Sequence, residues 1–282
     1  MKSFLEFMCE DLHPDIVSTL DGYDKDKHKA ITKHIRNLIS NGEETGLEGA
    51  KAKKGSSRAV FLPKDPKEIK IDGVNTHMKT ALKIAYQGEL DTKKLRGRKG
   101  FLGEMQNNAE SAQYFNQHSI LKKVGYGNKE FETNEEHGVL APLTDKSNDG
   151  SWLEMGRVDN ITPEKFKELT RNETHPEGLR HQDVAHIMEN EHLLAFGKGK
   201  VAYSEREQAI HDHPFTQKMV HLIHNTDLHP SDIFTGREDV GDNMGVWTHP
   251  VTGKEYPVVR DYGCTHDVAR EYKLRRAVQR DL

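Results

Sequence analysis

Three things are scarce in this chain of 282 residues. Cysteine occurs only at Cys9 and Cys264, with neither zinc-ligand spacing nor a disulfide framework, so a reducing compartment fits. Long apolar runs are missing: none approaches the roughly 20 residues a helix needs to cross a bilayer, and no membrane partner is expected. An excess of one charge is missing too. The 41 basic and 45 acidic residues leave a formal charge of −4, which gives no overall pull toward nucleic acid. Apolar residues make up only 34% of the chain and charged residues 30%, the balance of a water-soluble protein with sizeable solvated segments. At this length the chain can bury one large core or two smaller lobes.

Histidine, by contrast, is abundant, with seventeen copies. His211, His213, His221, His224 and His229 crowd one region, and His221 and His224 can share a helix face. Such a cluster could hold a transition metal, although surface and capping roles are the commoner fate of scattered histidines.

Taken in order, MKSFLEFMCEDL (1–12) places Phe4, Leu5, Met8 and Leu12 at helical spacing. It lacks the basic start, long apolar stretch and small-residue cleavage site of a secretory signal. HKAITKHIRNLIS (28–40) reads as a second helix, and 41–55 as a linker. Ala59 to Leu62 is a β-type run. Met78 to Tyr86 is apolar enough for one buried strand, with Lys83 inside it. A lysine there needs a partner or a solvated face, because an unpaired buried ammonium is costly; taken alone, the solvated face is the simpler expectation.

After a basic, glycine-rich loop (93–100), Phe101 to Lys123 reads as a long helix with Glu104 and Glu110 as its acidic candidates. Gly138 to Leu143 and Trp152 to Val158 are strand candidates flanking the turn KSNDG. From Thr162 the pattern becomes helical, over 163–170, about 177–195 and about 204–225, the first with Thr162 as cap and proline at its start. A strand-rich half followed by a helix-rich half predicts an α+β architecture in two lobes.

The stretch Asp239 to Gly263 (DVGDNMGVWTHPVTGKEYPVVRDYG) returns to strand. The apolar pairs Met244/Val246 and Val258/Val259 flank the turn formers His-Pro and Thr-Gly, so a hairpin is expected. Asn243 enters it and Asp261 leaves it. An amide oxygen and a carboxylate brought together there suit Mg²⁺, which keeps waters and shares a nucleotide's phosphates.

The order of these features is glycine turn, strand lysine, helix glutamate, apolar linker strand, helices, Asp…Asn loop, hairpin and Asp-aromatic-Gly. Over roughly residues 50–263 it resembles a protein-kinase-like fold, and in particular the small divergent kinase-like proteins encoded by phages. The resemblance implies a two-lobed fold with a helical extension and linker (1–49), a small β-rich N-lobe (50–158) and a truncated helical C-lobe with the catalytic hairpin (159–282). It implies ATP and magnesium as cofactors. Gly55, Ser56 and Ser57 would form the phosphate loop, Lys83 would contact the phosphates and Glu110 would pair with it. Glu154 and Met155 would face adenine, and Asn243 and Asp261 would hold magnesium. The catalytic aspartate stays open between Asp239 and Asp232, with Asp227 third. The implied activity is transfer of the γ-phosphate to a hydroxyl of a protein or small molecule.

The pattern departs from the family in places. The phosphate loop has one glycine, Lys83 and Glu110 are 27 residues apart, and no His-Arg pair precedes a candidate aspartate. After Gly263 only 19 residues remain, so the activation segment that docks peptide substrates is not expected. A nucleotide-binding pseudokinase is therefore an alternative. The first ten residues, MKSFLEFMCE, also resemble the capsid-targeting segment of internal head proteins of T-even-like phages, cut after the residue matching Glu10. That implies a virion protein packaged against capsid components and delivered with the DNA, located in the virion interior or the host cytoplasm. A nucleic-acid binder using the basic segments 93–99 and 270–280 is a third reading, which the balanced charge disfavours.

Overall fold

The computed structural model describes residues 53–54, 58–62, 66–85, 117–124, 129–146, 152–195, 201–226, 228, 230–234, 240 and 243–260. The chain is a mixed α+β fold. Its strands are β1 (Lys53–Lys54), β2 (Arg58–Phe61), β3 (Lys67–Ile71), β4 (Val74–Met78), β5 (Thr80–Ala85), β6 (Leu121–Lys123), β7 (Glu130–Thr133), β8 (Leu143–Lys146), β9 (Trp152–Gly156), β10 (Met244–Thr248) and β11 (Glu255–Val259). They build a five-stranded sheet in the order β1-β2-β5-β9-β8, a four-stranded sheet β4-β3-β7-β6, and the hairpin β10-β11.

The five-stranded sheet is antiparallel throughout, with β5 at its centre, so Lys83 faces Val60 of β2 on one side and Leu153 of β9 on the other. The apolar stretch expected as one strand over 78–86 is divided. Met78 ends β4, Thr80 begins β5, and at the break the Lys79 carbonyl accepts from the Arg157 amide at 2.8 Å. The expectation of a solvated Lys83 is also corrected, since the residue is only 7% exposed.

The four-stranded sheet was not expected. Its hairpin β3-β4 turns on Asp72 and Gly73, both with positive φ (49° and 82°), the mirror-image turn that Asp-Gly favours. Its other edge corrects the long helix expected over 101–123. Leu121–Lys123 is strand β6, paired with β7 through Leu121 and Thr133. Buried Ile120 and Leu121 gain more from packing beside a strand than from one further turn of an isolated helix. Residues 101–116 lie outside the described residues, as do 1–49. The strand expected over 138–143 is a crossover for most of its length; the ladder with β9 starts at Leu143.

The helical half follows local chemistry. Helix α1 (Pro163–Leu169) has Pro163 in its first turn, where the missing N–H costs nothing, and the Thr162 hydroxyl accepts from the Lys165 amide at 3.1 Å. Helix α2 (His181–Ala195) starts later than expected. The stretch expected as one helix over 204–225 is two, because Pro214 cannot donate to a preceding turn. They are α3 (Glu205–His211), begun by a capping box between Ser204 and Glu207, and α4 (Pro214–Asn225), whose N-cap is His213. A short turn, α5 (Pro230–Ile233), is the last helical element among the described residues. Phe166 is fully buried among these helices, its ring edge-on to Phe215 and Phe234 at 5.4 and 6.3 Å.

The expected hairpin is present and docks on both outer edges. Val259 donates to the Val139 carbonyl (2.8 Å) and accepts from the Ala141 amide (2.9 Å). On the other edge Val246 and Asp159 exchange both backbone bonds at 2.9 Å. Gly245 makes this second contact possible: a Cβ there would stand 2.3 Å from a Val158 methyl and 2.4 Å from the Asp159 carbonyl oxygen. Gly245→Ala is accordingly expected to cost about 1–3 kcal/mol of stability by urea denaturation. Val251→Ala, in the exposed hairpin turn, should stay within about 0.5 kcal/mol of the parent.

Candidate functional site

The site assembles where β5 meets the two ends of the β10-β11 hairpin. From the centre of its sheet, Lys83 reaches across and its Nζ donates to the Arg260 carbonyl. The Arg260 amide in turn donates to the Asn243 carbonyl at 2.8 Å, closing the base of the hairpin. Thus the strand lysine, the residue entering the hairpin and the residue leaving it stand together. The Arg260 guanidinium is directed elsewhere, to the Asn160 amide oxygen at 2.9 Å. Asp261 follows Arg260 immediately in sequence but lies outside the described residues.

The other expected site residues divide by position. Gly55, Ser56 and Ser57 are outside the described residues, although β1 and β2, which flank them, pair antiparallel beside β5. Glu110, Asp239 and Asp227 are outside as well. Asp232 belongs to the turn α5. Glu154 and Met155 are inside strand β9, bonded on both sides to β5 and β8, and not in the connection that follows it. Met155 is core, 2% exposed.

The Glu154 carboxylate is taken by the protein itself. One oxygen accepts from the Lys67 ammonium, and the other accepts from the Thr80 hydroxyl at 3.0 Å. Asp145 stands 3.9 Å from the same ammonium. Nearby Lys123 is pushed below its ordinary value by burial first, against the pull of Asp145 and with the repulsion of Lys67. This is a part-buried ion cluster joining the two sheets, which sequence spacing gave no sign of because its members come from β3, β6, β8 and β9.

A second polar chain ties the hairpin's tip to the four-stranded sheet. Asp72 accepts from the Thr133 amide (2.9 Å) and hydroxyl (2.6 Å), and that hydroxyl lies 2.9 Å from His249 Nε2. His249 Nδ1 accepts from the amides of Val251 and Thr252, so the ring is held as the neutral Nε2–H tautomer. Burial keeps it below the ordinary histidine value, with Asp72 and Glu135 opposing.

The histidine cluster resolves into separate roles. His213 caps α4, accepting from the Phe215 amide at 3.1 Å, and its Nε2 lies 2.9 Å from the Thr170 carbonyl. Burial pushes its pKa down to about 4. His211 and His224 each face an oxygen of Glu191, at 3.3 and 3.1 Å, and Tyr203 donates to the same carboxylate at 2.8 Å. His229 lies outside the described residues. Among the described residues no group of three or more His, Cys, Asp or Glu is arranged to hold a metal ion, and no helix is long and apolar enough to cross a membrane. No protein-family model matches the chain, and no curated protein is significantly similar to it.

Removing Glu154 would leave the Lys67 ammonium, whose side chain is only 11% exposed, with Asp145 at 3.9 Å and no close carboxylate. Glu154→Ala should cost about 1–3 kcal/mol in chemical denaturation, and Lys67→Met combined with Glu154→Leu should recover most of it.

Proposed function

We propose that the chain is a kinase-like protein that binds ATP with magnesium and transfers the γ-phosphate to a hydroxyl of a protein or small molecule. The observation that supports this reading is the bond from Lys83 to the Arg260 carbonyl, with Arg260 in turn bonded to Asn243. It places one buried positive charge beside the hairpin that carries Asn243 and runs on to Asp261. Phosphoryl transfer asks of a protein chiefly position and charge neutralisation, and a lysine fixed on a central strand supplies both.

The residues present fit the ligands. The Asn243 amide oxygen and the Asp261 carboxylate are the hard oxygen donors that magnesium prefers, and a phosphate oxygen is a better acceptor for Lys83 than the carbonyl it now holds. When bound, the nucleotide supplies the transferable phosphoryl group and magnesium disperses its charge. Asp239 or Asp232 would accept or orient the proton of the attacking hydroxyl. β1 and β2, which flank Gly55 to Ser57 in the chain, belong to the same sheet as Lys83, and in this reading the residues between them would contact the same phosphates. With Glu154 held by Lys67, adenine recognition would fall to the connection after Gly156.

Thermal unfolding with and without Mg²⁺·ATP tests the proposal. Nucleotide at a hundred times its dissociation constant should stabilise the parent by about 2.7 kcal/mol, and the gain should vanish in Asp261→Ala and shrink in Lys83→Met. No shift at millimolar nucleotide would sink the reading.

The segment MKSFLEFMCE supports a companion reading, in which the chain is a catalytically inactive, kinase-like internal head protein of a phage. Mass spectrometry of purified particles should then find it, cut after Glu10. Absence from particles would remove that reading and leave the nucleotide proposal untouched.

A further inference from the structure

Behind the crossover that holds the hairpin lies a group of histidines with no part in the proposed nucleotide site. His118 is fully buried, and neither of its ring nitrogens has a hydrogen-bond partner. Its ring packs against His221 of α4 with centroids 5.2 Å apart, and His221 stacks on His137 at 4.3 Å with planes 22° apart. Three imidazoles from three elements are thus in contact, one of them without any polar contact that could spread a positive charge.

The surroundings of the stack also require neutrality. The Asn225 amide nitrogen lies 3.1 Å from His221 Nδ1, an arrangement in which that nitrogen accepts and cannot carry a second proton. From α4, His221 faces the stack, with His224 beyond it turned to Glu191, and from the turn before Gly138, Glu136 and His137 face it. Glu136 is the one acidic group among them, 3.5 Å from His137 at the solvent side and 84% exposed, so it cannot compensate a charge on buried His118. Lys218, one turn earlier on α4, feels the attraction of Glu135, which is itself bonded to Lys254 at the hairpin.

The backbone of His118 is a fixed point of the hairpin's dock. Its carbonyl accepts from the amides of both Val139 and Leu140 at 2.8 Å, and Val139 is the residue whose carbonyl holds the Val259 amide. We propose that His118, His221 and His137 form an acid-sensitive clasp, which at neutral pH holds α4 against the crossover and on acidification lets go of it, loosening the hairpin's dock at Val259.

Burial and the two neighbouring rings push His118 down to about 4 from an ordinary value near 6.5, and burial pushes His221 down as well. A histidine whose folded pKa is depressed binds its proton more readily unfolded. Its stabilising effect is therefore complete above pH 6.5 and is lost progressively as the pH falls toward 4.

Thermal melts of the full chain between pH 7 and pH 5 decide the matter, with His118→Phe as the comparison because that ring loses no hydrogen bond. The parent's melting temperature should fall by about 4–7 °C more than the variant's over this range. Amide-exchange protection at Val259 and Ala141 should fall with pH in the parent and hold in the variant. Should His118→Phe fail to fold, His137→Phe at the solvent end of the stack takes its place, and a smaller acid loss than the parent's is expected. Parallel pH profiles in parent and variant would overturn the clasp. So would stabilisation of the parent by one equivalent of Zn²⁺ at pH 7 that His118→Phe abolishes, which would reassign the cluster as a metal site.

Discussion

An isolated two-stranded hairpin is marginal in water, because half of its backbone groups face no partner. The hairpin β10-β11 escapes this by being paired on both outer edges, through Val259 to the crossover at 139–141 and through Val246 to Asp159. Met244, Trp247, Val258 and Val259, drawn from both of its faces, are then buried almost completely. Everything proposed for the site depends on that double dock. It fixes where Asn243 and Arg260 stand, and hence what Lys83 can reach.

Charge burial sets the second constraint. Lys83 and Lys67 are both removed from most of their solvent, and each has an oxygen to bond: a backbone carbonyl for one, the Glu154 carboxylate for the other. The two solutions differ in what they leave available. A carboxylate neutralises the lysine that it holds, whereas a backbone carbonyl accepts the bond without bringing a counter-charge of its own. Lys67 thereby holds the two sheets together.

Much of this was legible in the sequence wherever the signal is local. The hairpin at 244–259, the strand with Lys83, the strand from Trp152 and the helix starting at Pro163 each carry short-range punctuation, and each is present. The Asp72-Gly73 turn was equally readable, but β3 and β4 mix lysine, glutamate and histidine into the alternation and so hide their apolar face. Strand β6 was lost for another reason: three residues cannot announce a period of two when helix-compatible residues precede them. Within the site, no spacing could reveal that Glu154 belongs to Lys67, or that Gly245 exists to admit Asp159, since both facts are properties of distant segments meeting.

The contact between Lys83 and Arg260 spans 177 residues of chain. During synthesis the ribosome must therefore deliver nearly the whole of the described protein before the central strand of the first sheet acquires its last neighbour. Until then the crossover at 139–141 presents unpaired backbone groups, and the ammonium of Lys83 has no hairpin carbonyl to receive it. Long-range closure of this kind is slow compared with the formation of local helices and turns. The nascent chain thus carries an open edge from the moment the crossover is made until segment 244–260 arrives to seal it.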